Sequence, residues 1–378
     1  MLTPLTVDSS NTPLSTLAGG ATLGSFATNG LQQAQINALN NFQQKQEDVR
    51  ASSAEREAAL NRETDRFIKV KAQINNAAVA IDNGLESLDE IETKINEMKA
   101  LLGDIEREST SEFYRDEYDE KLREINLAAD IYSQAFNPIG RVQDRLTWEP
   151  NTITYRPDFT STEVELEGVY AGSDFNITAD DGTIWIPDLQ ASTLEQYTSY
   201  NSEIPEDSDS TGAVTSTLNG ITDVTGPDGD GKYTFTILNG GTEETITGTL
   251  SQGGLQIMGS WFHGNLDTEA DRLAALEELN AADAELTFAR AQLERHRTTI
   301  ELDDRQVDEQ LDLVRDDQRD NLFDQLEAET ALQTEFQQQV EALARNVEAI
   351  SAQQVSYRSI FAGFLNTTNN PLFLDTSV

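Results

Sequence analysis

The chain has 378 residues, 67 of them acidic against 26 basic, for a formal charge of -41, and no cysteine. The length allows two or three domains. The acidic excess repels nucleic-acid phosphates and anionic headgroups, so no nucleic-acid partner is expected, and the missing cysteines exclude disulfides, thiolate nucleophiles and Cys-ligated metal.

Residues 1–30 are rich in Ser, Thr, Gly and Pro with isolated Leu and Phe, a tail expected to order only by packing on neighbours. They hold no Lys or Arg and no continuous apolar core, so an ordinary cleaved secretory signal is not expected. No run approaches the ~18 apolar residues that cross a bilayer, so membrane insertion is not expected either. Residues 31–59 turn helical but stay polar, with Leu31, Ile36, Leu39 and Phe42 as anchors. Such a helix is marginal without outside contacts.

Residues 60–141 carry the N-terminal stem helices. Phe67, Val70, Ile74, Ala77, Ile81, Leu85, Leu88, Ile91, Ile95, Met98 and Leu102 recur at three- and four-residue steps, the signature of one buried helix face. Gly103 is the predicted C-cap. A second helix follows with Tyr114, Tyr118, Leu122, Ile125, Ala129 and Tyr132 on one face, and Asn137-Pro138-Ile139-Gly140 stops it.

Over residues 142–264 the pattern changes to short β-branched and aromatic runs separated by turn clusters, which predicts an inserted antiparallel β-domain. The runs are Thr152–Tyr155, Glu163–Tyr170, Thr183–Ile186, Tyr233–Leu238, Glu244–Leu250 and Leu255–Phe262, and Ser199–Ala213 reads as an exposed loop. Trp148, Trp185 and Trp261 are expected to form much of its core. Asp228-Gly229-Asp230-Gly231 opens like a calcium loop, but Lys232 and Asn239 stand where that loop needs acids, so a β-turn is the reading.

Residues 265–318 form the C-terminal stem helix, with Leu279, Leu286, Leu293, Ile300, Val307 and Val314 at every seventh position. A bend is expected near Thr298 and Thr299. Residues 319–365 continue as an inner helix, where Phe336, Val340, Leu343, Val347 and Ile350 mark the expected assembly face, and 366–378 form a short tail. The fold expected is α+β, a long antiparallel coiled-coil stem from both termini with an inserted antiparallel β-domain. Its stem packing is assigned to Ile74, Ile81, Leu88, Ile95 and Leu102 against Leu279, Leu286, Leu293 and Ile300.

Catalytic signals are missing from the pattern. His263 and His296, the two histidines, fall in different predicted domains without metal-ligand spacing, and no phosphate loop or nucleophile elbow occurs. No enzyme activity, cofactor or metal is expected.

Ala77–Leu102, Tyr118–Gly140 and Leu273–Ile300, about a quarter of the chain, resemble the first, second and returning stem helices of bacterial flagellins and the related hook-filament junction proteins. The Asn- and Arg-containing N-terminal signatures of flagellins are missing, and tails are added at both ends. The resemblance implies a non-catalytic, flagellin-like subunit of an extracellular flagellar filament. Its partners would be copies of itself and, before assembly, a secretion chaperone. The rival expectations are a filament junction, cap or needle-tip-like binding protein that uses the β-domain, and an intracellular coiled-coil scaffold.

Overall fold

A computed structural model describes residues 25–108, 111–130, 137–142, 146–158, 162–188, 192–200, 209–239 and 242–367. Three α-helices and nine strands follow in the order α1 (Ser25–Glu108), α2 (Ser111–Asp130), β1 (Thr152–Tyr155), β2 (Val164–Glu167), β3 (Ser173–Ala179), β4 (Ile184–Asp188), β5 (Thr193–Ser199), β6 (Asp209–Thr217), β7 (Thr222–Thr225), β8 (Tyr233–Asn239), β9 (Thr242–Gly254) and α3 (Glu269–Thr367). Contacts divide the chain into two compact units, residues 64–312 and residues 1–63 with 313–378.

In the unit 64–312, α1 and α3 run antiparallel. Lys71 pairs with Asp304 and Asp308, Arg297 with Asp82, Arg290 with Asp89 and Glu92, and Lys99 with Asp283, so α3 numbers fall as α1 numbers rise. Ile74, Ile81, Leu88, Ile95 and Leu102 are buried on α1, and Leu279, Leu286, Leu293, Ile300 and Val307 on α3. Ala275, Ala282 and Ala289 are buried between the α3 leucines, and such small side chains let a neighbouring element approach closely. Helix α2 lies beside α1, with Lys94 on Glu124 at 2.9 Å and Lys121 on Glu97 at 3.1 Å, and buries Tyr118, Leu122, Ile125 and Ala129. Thr268 caps α3 reciprocally: its hydroxyl accepts the Asp271 N–H, while the Asp271 carboxylate accepts the Thr268 N–H.

Seven strands form one antiparallel sheet in the order β6-β5-β4-β3-β9-β8-β7, and β1 and β2 form a separate hairpin. The central pair β3–β9 is in register from Ser173 opposite Gly254 to Ala179 opposite Gly248. One sheet face closes over a core of Phe175, Ile177, Ala179, Trp185, Leu194, Ile221, Phe235, Ile237, Ile246, Met258 and Trp261. The hairpin is pinned to α3: Gln292 donates to Glu167 O at 2.8 Å, His296 lies 3.0 Å from the same oxygen, and Tyr155 donates to Asp303 at 2.6 Å.

In the other unit, residues 25–63 of α1 and 313–367 of α3 also run antiparallel. Their contact mixes polar pairs, Lys45 to Glu335, Arg50 to Glu329, Ser53 to Gln325 and Asn61 to Gln318, with half-buried apolar side chains such as Val49, Leu332 and Leu343 and with Phe42 stacked on Phe336 at 4.7 Å.

Several expectations are corrected here. There is no single coiled-coil stem built from both termini. The densely apolar seam closes in the interior of the chain, along 64–108 and 269–312, where the heptad positions are buried. The helical lengths nearer the ends lack the apolar density to extend that seam and cluster as a separate unit, and 1–24 and 368–378 lie outside the described residues. Gly103 does not end α1, which continues to Glu108. Helix α3 is not interrupted at Thr298 and Thr299, whose hydroxyls donate to the carbonyls of Glu294 and Arg295 in the preceding turn, back-bonds compatible with a local bend. The last predicted strand, Leu255–Phe262, is irregular and then 3-10 helical, whereas the segment read as a loop enters β6 at Asp209, and 201–208 lie outside the described residues. Trp148 stands outside the sheet core, with Gly253 directly against its indole ring.

Candidate functional site

Two features organise the unit 64–312. The first is the loop Asn137-Pro138-Ile139-Gly140, all of it buried. The Asn137 amide nitrogen donates at 2.6 Å to Ala129 O, in the last described turn of α2. The Asn137 side-chain oxygen accepts the Ile139 N–H, and Pro138 O and Ile139 O accept the N–H groups of Val169 and Ala171. Pro138 seats its ring on Gly84 in α1, with Leu293 of α3 alongside; a Cβ at Gly84 would stand 2.5 Å from Pro138 Cγ. This loop therefore ties α2 to α1, to α3 and to the stretch that leads into β3.

The second is the turn between β9 and α3, fastened to two helices by two carboxylates. Asp119 of α2 accepts from Ser260 N at 2.7 Å and from Ser260 Oγ at 2.6 Å. Glu278 of α3 accepts from Met258 N at 3.0 Å and lies 3.0 Å from His263 Nε2. Burial pushes the Asp119 carboxyl up from its ordinary value, against the two Ser260 hydrogen bonds, which hold it down. Tyr118, fully buried next to them, is pushed well up by burial first and by the charges of Glu278 and Asp119 second.

The histidines here have structural contacts. His263 is tied to Glu278, and His296 lies against a backbone carbonyl on the far side of the hairpin. The two histidines are not brought together, and no group of His, Asp or Glu among the described residues has the arrangement of a metal site. The Asp228 turn is closed by Asp228 Oδ1 accepting the N–H groups of Asp230 and Lys232, both at 2.9 Å, and these bonds lower its carboxyl below the ordinary value. Among the described residues no helix is long and apolar enough to cross a membrane.

The strongest surface feature lies in the unit formed by 25–63 and 313–367. Phe323 and Leu326 on α3 are 61% and 60% exposed, and with Glu327, Thr330, Ala331 and Thr334 they line one face at helical spacing. Leu313, Leu322, Val355, Tyr357 and Ile360 on α3 and Ile36 and Leu39 on α1 are exposed as well. Of the expected assembly residues, Phe336 is half-buried on Phe42, Leu343, Val347 and Ile350 are half-buried, and Val340 is exposed.

No protein-family model and no curated protein matches the chain.

Sequence reasoning read Asn137–Gly140 only as a helix stop. It passed over Asp119, Asn126, Ser260 and Glu278, which look like ordinary solvated residues until the fold brings α2, α3 and the turn together. It placed the stem residues Ile74, Ile81, Leu88, Ile95, Leu102, Leu279, Leu286, Leu293 and Ile300 on two helices, and these are buried in one unit. It also named Trp185 and Trp261, which both belong to the sheet core.

Proposed function

We propose that the chain is a non-catalytic structural subunit of an extracellular helical filament of flagellin-like kind, whose copies associate through the helices of residues 25–63 and 313–367. The observation that carries this reading is the set of exposed large apolar side chains on those helices beside a mutual contact that is partly polar and leaves its apolar side chains only half-buried. A helix pair of this composition buries too little apolar surface to be at its most stable alone, and further copies supply the cover. A subunit that meets its neighbours through different patches propagates an open filament, because such head-to-tail contacts do not close on themselves. Before assembly the same side chains would need shielding, a role suited to a secretion chaperone.

The test is electron microscopy of purified full-length protein, concentrated in salt. Filaments of micrometre length are expected. A variant with Leu322, Phe323 and Leu326 all changed to Gln should stay monomeric while keeping its helical circular dichroism. A discrete dimer or trimer at every concentration and ionic strength would reject the filament and favour a closed coiled-coil scaffold.

A further inference from the structure

A cavity of about 40 Å³ opens between α2, the start of β3 and the turn that precedes α3. Four α2 residues at helical spacing, Asp119, Leu122, Arg123 and Asn126, form one wall, and Phe175 and Trp261 are the largest side chains opposite. The space corresponds to about three water-sized spheres, since one water needs ~10–15 Å³ measured in this way.

Most of the polar side chains of the lining are already used. Asp119 takes both donors of Ser260, and Arg123 is forked onto Glu120. Ser173 N donates to Asn126 Oδ1 at 2.7 Å, and Ser173 Oγ accepts from Ile257 N at 3.1 Å. The bond from Ser173 fixes the Asn126 amide with its oxygen toward β3 and therefore its nitrogen away from it. Asn126 is 7% exposed, and its Nδ2 has no hydrogen-bond partner. An amide N–H buried without an acceptor costs roughly 1–3 kcal/mol. Asn126 is one of the residues that line this otherwise largely apolar cavity, and a free donor beside such a space is the arrangement by which proteins orient a small ligand.

We propose that this cavity binds a small uncharged molecule that presents a carbonyl or hydroxyl oxygen to Asn126 Nδ2 and its carbon atoms to Phe175, Leu218 and Trp261. The volume limits the bound portion to about four heavy atoms. An anion is disfavoured because it would meet the Asp119 carboxylate, and a bare cation offers no acceptor to Asn126 Nδ2. The site is independent of the helices assigned to assembly, so it stands or falls without the filament reading.

The probe is 2-propanol, which has four heavy atoms and one oxygen. In 1H–15N spectra of the full-length protein, the side-chain amide pair of Asn126 and the indole N–H of Trp261 should shift along saturable curves with a common midpoint in the millimolar range. Asn126→Asp keeps the acceptor for Ser173 N but removes the donor, and it should weaken that midpoint at least tenfold. Unchanged Phe175 and Trp261 backbone signals in the variant would verify that the pocket is intact. A linear, unsaturable drift of all signals, or a crystal soaked in 2-propanol that holds only water against Asn126, would overturn the proposal. If Asn126→Asp perturbs the fold, Leu218→Phe, which narrows the cavity from the other wall, must abolish the saturable shift, and persistence of the shift would overturn it equally.

Discussion

Gly84 stands in the middle of an 84-residue helix, where glycine ordinarily costs about 1 kcal/mol relative to alanine. On propensity alone Gly84→Ala would stabilise. The Pro138 ring is too close for that: the new methyl would stand 2.5 Å from it, and overpacking of this kind costs about 1–3 kcal/mol. Gly84→Ala is therefore expected to lower unfolding stability by a net ~0–2 kcal/mol in urea titrations, and a rise in the midpoint would refute the packing argument. At Asp119 the prediction concerns acid. Its folded pKa is raised by burial, so the folded state holds the proton more tightly than the unfolded chain does. The ionised carboxylate thus subtracts stability above the raised value. The penalty fades as pH falls through that value toward the ordinary carboxylate range. Asn at this position can keep both contacts with Ser260 and carries no charge. Asp119→Asn is expected to equal or exceed the wild type in stability at pH 7, with the gap closing between the raised and ordinary values. Chemical denaturation across that window measures it. Glu120, Glu124 and Glu329, held low chiefly by Arg123, Lys94 and Arg50, act in the opposite sense and lose their contribution as pH falls through their lowered values.

Among the elements, the periodic ones were legible. The seven-residue spacing along α3 and the three- and four-residue steps along α1 locate the buried face of each helix, because a long apolar stripe has few alternative explanations. Strand β3 at the centre of the sheet was missed. Its residues Ser173, Asp174 and Asn176 are buried polar groups, so alternation between apolar and polar side chains fails as a signal. What stabilises them is distant in sequence, as with the Asn126 oxygen that takes the Ser173 N–H. The same limit hid Asp119 and Glu278, whose partners lie more than a hundred and at most twenty residues away respectively. The polar layer in the unit of 25–63 and 313–367 leads to a prediction at this scale. Asn321, buried, donates to Ser53 O at 3.1 Å, and the Ser53 hydroxyl donates to Gln325 at 3.0 Å. One polar layer inside a helix pair fixes its register and lowers its stability. Asn321→Leu should raise the thermal midpoint while broadening the distance between spin labels placed at Arg50 and Glu329. A single narrow distance in the variant would show that the layer does not set the register.

For the whole molecule the dominant quantity is the charge of -41. Packing such chains side by side confines like charges within nanometres, and only counter-ions relieve the repulsion. The screening length is about 30 Å at 0.01 M salt and about 3 Å at 1 M. If copies associate as proposed, light scattering should report little assembly at 0.01 M and a steep rise toward 1 M. Assembly that weakens with added salt would point to attractive ion pairs as the cause instead. The topology of the sheet carries a different consequence. Ser173 and Gly254 are register partners at the entrance and exit of β3 and β9, so the whole of β3 to β9 leaves and re-enters the molecule through two adjacent backbone positions about 5 Å apart. A two-residue turn could bridge them. Excising residues 174–253 would strip the cover from Met258 and Trp261, which would need polar replacements. With those in place, the chain becomes a carrier with a single port, into which an unrelated domain with neighbouring ends could be spliced without lengthening any other connection.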